Sequence, residues 1–290
     1  MRIDLHVHST ASDGALPPEA VVRAACDGGL DMIALADHDT TAGVARAAEA
    51  AGALVVVPAI EVSTTFGDID LHILGYFVDP EAPGLLRHER AAAQRREERI
   101  RGMLDLLERH GVHVPLDAVR QAAGEAALAR PHLARAMVDS DAVRSINDAF
   151  ETFIGDGGPA FLPTYLPPPA DAIRMIHDAG GLAVWAHPPT PLLETRTGEF
   201  ARLGLDGIEC RRPRMTRSET DRALRIAQEH NLLPTGGSDW HGPWSGELGA
   251  FFLEPTDIPE FLERGGIDPG PLTDDRRPTT DDHPPTAHGL

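Results

Sequence analysis

The sequence predicts an α/β fold, and three observations support this prediction. Apolar runs of strand length alternate with helical segments through the first 80 residues. A charged helical stretch without a clear strand then covers residues 86–155, and the alternation resumes after residue 169. Strands that alternate with helices are typical of parallel βα units. We therefore expect one discontinuous α/β domain over residues 1–85 and 156–269, with residues 86–155 as a small helical insertion.

Four strands and two helices are expected before the insertion. The first helix has proline near its start and glycine near its end, as helix termini prefer. The strands cover residues 2–8, 31–37, 53–60 and 69–77, and the helices cover residues 17–29 and 41–52.

The insertion is expected to contain helices only, and the strand pattern returns after a Pro- and Gly-rich loop. The expected helices of the insertion cover residues 86–110, 115–127, 131–139 and 145–152, and the loop covers 156–169. Strands then follow at 181–187, 203–210, 232–241 and 246–255, with helices at 169–181 and 218–231. Residues 270–290 are rich in Pro, Thr and Asp, which predicts a disordered tail, so His283 and His288 are discounted as ligands.

The charge of the chain excludes several classes of partner. The 45 acidic residues against 26 basic ones give a net charge of −19, and every basic residue is an arginine. Such a field repels nucleic-acid backbones and anionic membranes, so we expect neither long duplex nucleic acid nor a membrane as a partner. Two cysteines cannot build a disulfide framework. Because no signal peptide and no membrane-spanning apolar run is evident, we expect a cytoplasmic protein.

Histidine is frequent, with 14 copies, and its positions indicate a metal site. Asp4, His6 and His8 share one face of the first strand, because side chains alternate along a strand. Two imidazoles placed in this way near a strand end can bind one ion. The pair alone is equally compatible with chance in a chain so rich in histidine.

Further candidates stand at the ends of later strands, where barrels and open α/β sheets place their sites. The full set is His6, His8, Asp13, His38, Glu61, His72, His187, Asp239 and His241. Nine side chains exceed the four ligands of one tetrahedral ion, so we expect two or three divalent ions. Histidine and carboxylate ligands without cysteine fit Mn, Fe or Zn better than a structural thiolate site.

These motifs resemble the PHP (polymerase and histidinol phosphatase) domain family. The matching pieces occur in the family's order: DLHVHSTASDG (4–14), ADHD (36–39), PAIEVS (58–63), LHILGYF (71–77), AHP (186–188) and GGSDWH (236–241). The resemblance implies a distorted (βα)7 barrel with a di- or trinuclear metal site, and it implies that all nine candidates are ligands. Glu61 matches the bridging carboxylate, and Asp13 and His38 belong to the neighbouring ion. For the third ion, His132 is the alternative to His72.

The insertion carries a further resemblance. ARPHLAR (129–135) is similar to the RPH element of small stand-alone PHP phosphoesterases, in which a helical insert caps the barrel mouth. That subgroup includes nucleoside 3′,5′-bisphosphate phosphatases and a 5′-to-3′ oligoribonuclease. The resemblance therefore implies a metal-dependent phosphoesterase. Its substrates would be 3′,5′-bisphosphonucleosides or the 5′ ends of short oligoribonucleotides, attacked by a metal-activated hydroxide.

Two residues of the RPH element are the candidate catalytic groups. Arg130 is the candidate phosphate clamp, because a planar guanidinium matches phosphate oxygens. His132 is the candidate donor to the phosphate or to the leaving oxygen. The alternatives are a solvated arginine for Arg130 and a helix-capping histidine for His132.

Two other functions stay open from the sequence. A histidinol-phosphate phosphatase needs a pocket for an amino alcohol, and no sequence element selects it. An inactive metal-bound scaffold is expected to have lost ligands, and none of the nine is missing.

Outside the nine candidates, we expect Asp37 and Asp39 to support the site. Residues 90–109 are expected to form a salt-bridged solvent face of a helix. Arg211 and Arg212 are expected to be either a solvated pair or in contact with the site. No function is assigned to His88, His110, His113, His177 and His230.

Overall fold

The computed structural model describes residues 1–124 and 126–268, and within these ranges the chain forms one seven-stranded sheet. The predicted tail at 270–290, with His283 and His288, lies outside the described residues. The strands are β1 (Ile3–Val7), β2 (Met32–Leu35), β3 (Val55–Phe66), β4 (Ile69–Tyr76), β5 (Leu182–Trp185), β6 (Gly207–Arg211) and β7 (Leu233–Gly236).

The sheet follows the chain order from β1 to β7 and curls back on itself. Just beyond β7, Trp240 forms a parallel bridge to Val7 of β1. In that bridge the amide of His8 donates to the carbonyl of Trp240 over 2.9 Å. The first and last strands are therefore brought together, and the predicted α/β fold with a distorted seven-stranded barrel is confirmed.

One strand departs from the expected parallel βα pattern. β4 pairs antiparallel with β3 and also with β5, whereas the other neighbouring strands are parallel. β3 is also longer than predicted and continues to Phe66. The two strands form a hairpin closed by the two residues Gly67 and Asp68, and the positive φ of 62° at Gly67 suits the tight turn.

Ten α-helices lie in the described ranges. Two of them, at 190–202 and 259–264, were not expected from the sequence, and the expected strand at 246–255 is reduced to one bridge between Leu253 and Ile3. The helices are α1 (Pro18–Asp27), α2 (Val44–Ala50), α3 (Pro83–Arg109), α4 (Leu116–Ala123), α5 (Arg130–Asp139), α6 (Ile146–Ala149), α7 (Pro169–Asp178), α8 (Thr190–Arg202), α9 (Arg217–Glu229) and α10 (Pro259–Arg264).

The apolar side chains form separate clusters for the barrel and for the inserted helices. Inside the barrel, Leu5, Leu74 and Tyr76 pack with Phe261 of α10, which closes the end opposite the ligands. A second cluster joins the last half of α3 to α4, α5 and α6. Because the first turn of α3 packs on the barrel through Leu85, this long helix contributes to both parts of the molecule. The division of the chain at residues 85 and 155 stays a prediction.

No helix within the described ranges combines the length and the apolar character that a bilayer crossing requires.

Candidate metal centre

The first strand supplies the floor of the site. His6 and His8 each place Nε2 at 3.3 Å from Oε2 of Glu61, and both are fully buried, as is Asp4. Asp4 accepts hydrogen bonds from the amides of His6 and Ser238 and thereby ties β1 to the segment after β7. Burial raises the pKa of Asp4 to about 6.

The nine predicted ligands converge at the barrel mouth. Eight of them fall into three overlapping groups whose ligand atoms lie within 4.8 Å of one another: His8, Asp13, His38 and His241; His6, His8, Glu61 and Asp239; and His38, Glu61 and His72. The ninth, His187, places Nε2 at 2.9 Å from Oε1 of Glu61. The alternative ligand His132 belongs to none of these groups among the described residues.

Glu61 is the centre of this arrangement. Its Oε2 lies 3.0 Å from Nδ1 of His38 and 3.3 Å from Nε2 of both His6 and His8. Its Oε1 lies 3.0 Å from Nδ1 of His72. Burial alone would raise the pKa of Glu61, but the surrounding imidazoles of His38, His6 and His72 hold it well below its usual range. A carboxylate with imidazoles on both oxygens is suited to bridge two cations.

Two candidate ligands, two and three residues beyond the ends of their strands, sit on strained backbone. His187 has a φ of +31° and Asp239 a φ of +54°, in the left-handed region that residues with a Cβ seldom adopt. Such conformations persist where the surrounding structure fixes them, and they cluster at functional sites. Here the turn directs both side chains inward over the barrel mouth.

Several buried polar atoms of the cluster make no hydrogen bond to any described residue. They include Nε2 of His6, both ring nitrogens of His8, Nδ1 of His38 and Oε2 of Glu61. Unpartnered buried polar groups are costly, and all five atoms are good ligands for Mn, Fe or Zn. The donor set therefore fits divalent ions.

Glu209 is a functional residue that the sequence analysis missed. It is buried in the middle of β6, where Oε1 lies 3.0 Å from Nδ1 of His6 and Oε2 accepts the amide hydrogen of His187. A carboxylate that holds the second nitrogen of a metal-binding histidine fixes its orientation. The signal was present, since Glu209 lies near the carboxyl end of the strand expected at 203–210.

Asp37 and Asp39 support the site, as expected, but through the loops and not through the imidazole rings. Asp37 accepts from the amide and hydroxyl of Ser9 and from the hydroxyl of Ser12, and so holds the loop that carries Asp13. Asp39, at a φ of +59°, accepts from the amide and hydroxyl of Ser63.

Asp39 also anchors α3 to the barrel mouth. Nε2 of His88 donates to Asp39 over 2.9 Å and the guanidinium of Arg96 donates over 2.7 Å. Burial would raise the pKa of Asp39, but these two partners hold it well below its usual range. His88, to which no function was assigned, therefore has a structural role beside His38.

Beside the ligands lies a cavity of about 660 Å³ that is rich in arginine. Arg95, Arg96, Arg99 and Arg130 line it together with His72 and with the four aspartates Asp39, Asp68, Asp70 and Asp156. Burial lowers the pKa of Arg99, as do the nearby charges of Arg130 and Arg96. The expected solvent face of residues 90–109 is thus only one side of the helix. On that side Arg101 forms an ion pair with Glu97, whereas Arg95, Arg96 and Arg99 line the cavity.

The structure places the two predicted catalytic residues differently. Arg130 lines the cavity and pairs with Asp156 over 2.6 Å. His132 accepts the amide hydrogen of Ala129 on Nδ1, so it caps the start of α5. That bond places the ring hydrogen of neutral His132 on Nε2, and burial lowers the pKa of the imidazole. A catalytic role for either residue stays a prediction.

Three further residues raised by the sequence have partners away from the candidate ligands. Arg211 pairs with Asp257 over 3.1 Å. His177 lies 2.7 Å from Asp206 at the outer side of β5, and His113 is close to Glu108 on the surface. None of these three pairs includes one of the nine ligands.

Comparison with known proteins agrees with this geometry. The model of the PHP domain matches residues 4–109. The chain is 32% identical to the 5′-3′ exoribonuclease Rnm of Escherichia coli, covering 83% of this chain and 85% of that protein. It is 34% identical to the 3′,5′-nucleoside bisphosphate phosphatase of Chromobacterium violaceum, covering 84% and 88%.

A solved structure shows the same fold. An amidohydrolase from Chromobacterium violaceum with bound sulfate superposes with a TM-score of 0.78 at 33% identity, covering 93% of this chain and 98% of that one.

Proposed function

The chain belongs to the PHP domain family, and from this we propose that it is a metal-dependent phosphoesterase acting on nucleoside 3′,5′-bisphosphates or on the 5′ ends of short oligoribonucleotides. The observation that carries the proposal is the adjacency of two features. The nine-ligand cluster lies beside the arginine-lined cavity, and His72 contributes to both.

The ligand cluster is proposed to hold two or three divalent ions of Mn, Fe or Zn. His6, His8, Glu61 and Asp239 would hold one, and His8, Asp13, His38 and His241 a neighbouring one. The group His38, Glu61 and His72, with His187 beside it, would complete a third. Such ions supply charge neutralisation of the phosphoryl group and an activated water.

The arginine cavity is proposed to hold a second phosphate of the substrate, the one that is not hydrolysed. Burial, and after it the nearby charges of Arg130 and Arg96, lower the pKa of Arg99, so an anion among these guanidinium groups would be bound favourably. Arg130 can exchange Asp156 for a phosphate oxygen, because a guanidinium binds both oxyanions in the same forked geometry.

Both proposed substrates then undergo the same bond change. The oxygen of water forms a bond to phosphorus, the bond from phosphorus to O3′ of the first nucleoside breaks, and O3′ takes up a proton. The Nε2 hydrogen of His132 is the proposed donor to a phosphoryl oxygen or to O3′. The two reactions differ in one substituent of the phosphorus. In a 3′ phosphate it is a free oxygen, and in the first internucleotide bond it is O5′ of the second nucleoside.

The proposal is tested by measuring turnover with three substrates in parallel. Protein loaded with Mn²⁺ is given adenosine 3′,5′-bisphosphate, a 5′-phosphorylated short RNA and histidinol phosphate, with Asp13→Ala as the matched inactive control. We expect turnover of the first two. Preference for histidinol phosphate would favour the other phosphatase activity, and no turnover of any phosphoester would overturn the proposal.

The metal content is measured separately. Elemental analysis of protein never exposed to a chelator is expected to find at least two divalent ions per chain. Fewer than two would contradict the proposed multinuclear site while leaving the fold assignment intact.

A further inference from the structure

Trp244 is exposed to an extent that is unusual for this chain. Aromatic residues make up only 5% of the sequence. Among the described residues, only Tyr165 and Trp244 are large hydrophobic side chains that are more than half exposed, at 83% and 71%. The other two tryptophans, Trp185 and Trp240, are buried. An exposed indole therefore needs a reason other than packing.

The indole is held beside the metal ligands. Trp244 follows the ligand His241 by three residues, in a short 3₁₀ turn. A Cβ at Gly242 would lie 2.8 Å from Cη2 of Trp244 and 2.8 Å from Cβ of Ala15. The ring thus folds back over Gly242 and lies next to the loop that carries Asp13. The amide of Ala15 also donates to the carbonyl of His241 over 2.7 Å, so both segments are fixed relative to each other.

Trp244 and the arginine cavity stand at different ends of the ligand cluster. His72 lines the cavity, and its ring neighbours are His38 and His187. His241, on the Trp244 side, has His8 and His38 as ring neighbours. His38 therefore lies between the two ends. Tyr165 belongs to the cavity end, because its neighbours Thr164 and Leu166 line the cavity.

We propose that Trp244 is a stacking platform for the nucleobase on the 3′ side of the hydrolysed phosphate. This inference rests on the proposed function. With the 5′ phosphate among the arginines and the first internucleotide phosphate at the ligand cluster, the second nucleotide leaves the site at the His241 end. Aromatic side chains bind single-stranded bases by stacking, with little dependence on sequence. A nucleoside bisphosphate ends at the hydrolysed phosphate and has no base to place there.

The test compares two substrates that differ only by this second nucleoside. For Trp244→Ala, we expect kcat/KM for a 5′-phosphorylated diadenylate to fall about 5- to 150-fold relative to kcat/KM for adenosine 3′,5′-bisphosphate, which is the range for loss of one stacked base. Trp244→Phe, which keeps a ring, should retain most of the dinucleotide preference. Leu203→Ala removes an exposed apolar side chain on the outer helices and serves as the unchanged control.

A second measurement does not depend on turnover. Acrylamide quenches the fluorescence of exposed indoles, and Trp244 is the exposed one of the three. A diadenylate with a methylene in place of the bridging O3′ should protect Trp244 from the quencher, and adenosine 3′,5′-bisphosphate should not.

Specific outcomes overturn the inference. The inference is overturned if Trp244→Ala lowers kcat/KM equally for both substrates or for neither. It is also overturned if the diadenylate analogue leaves the acrylamide quenching of Trp244 unchanged. A change in oligomeric mass without a change in substrate ratio would assign the indole to contact between copies of the chain. Failure of the proposed function itself is distinguishable, because the wild-type protein would then turn over neither substrate.

Discussion

Replacing Glu209 by glutamine tests how the barrel orients its metal ligands. Glu209 uses Oε1 toward Nδ1 of His6 and Oε2 toward the amide of His187. The amide of glutamine has one acceptor oxygen, so only one of these bonds survives, and its NH₂ group then faces a donor. The side-chain volume hardly changes, which limits the packing cost.

The expected size of the effect follows from the lost bond. A hydrogen bond to a charged group contributes about 1.5–3 kcal/mol, which corresponds to a factor of about 10 to 150 in an equilibrium constant. Loss of a carboxylate that supports a metal-binding histidine costs about 10- to 100-fold in metal affinity or activity in general. We therefore expect Glu209→Gln to bind Mn²⁺ about 10- to 100-fold more weakly than the wild-type protein.

The assay is calorimetric titration of chelator-treated protein with Mn²⁺. Glu194→Gln, which alters an exposed carboxylate paired with Arg222, is the matched control and should bind as the wild-type protein does. Circular dichroism verifies that both variants are folded. Equal Mn²⁺ affinity in folded Glu209→Gln and wild-type protein would refute the reasoning.

Three further predictions follow from the site and its surroundings. Asp13→Ala and His38→Ala should each abolish phosphoester turnover while the circular dichroism spectrum is kept; an unchanged rate in either would contradict the ligand assignment. Arg130→Ala should raise KM for adenosine 3′,5′-bisphosphate about tenfold with a smaller change in kcat, as steady-state kinetics would show, because a charged phosphate contact is lost. Cys26 is exposed, whereas burial raises the pKa of Cys210 to about 12; a thiol reagent at neutral pH should therefore modify one thiol in the folded chain and two in denaturant.

Much of the site could be predicted from the sequence because most of the candidate ligands lie at or just beyond the carboxyl ends of successive strands. Strand ends meet at one edge, so side chains such as His8, His38 and Asp239, far apart in the chain, could be assigned to one place from the strand pattern alone. The alternation within β1 was equally informative, since it put His6 and His8 on one face.

The remainder depended on information that apolar patterns do not contain. A hydrophobic run does not reveal whether a strand is parallel or antiparallel, so the antiparallel direction of β4 could not be read from its apolar residues, although the Gly67–Asp68 pair is a hairpin signal. Glu209 was missed because its role depends on contact with His6, which is distant in sequence. The inward face of α3 was missed because the pattern of Arg96 and its neighbouring glutamates is equally typical of a solvent face.

The β3–β4 hairpin makes one part of the ligand cluster separable from the rest. Glu61 is fixed from the β2 side by backbone bonds to Asp37 and Asp39. His72 is positioned by the register of β4, which sets it opposite Ser63 of β3 and lets its carbonyl accept the amide hydrogen of Ala186. Slipping that register by one residue would turn His72 to the other face of the sheet. The turn at Gly67 and Asp68, together with the pairing of β4 with β5, therefore sets whether His72 joins the cluster. A change in the length of that turn is therefore expected to take His72 out of the cluster while every candidate ligand is kept in the sequence.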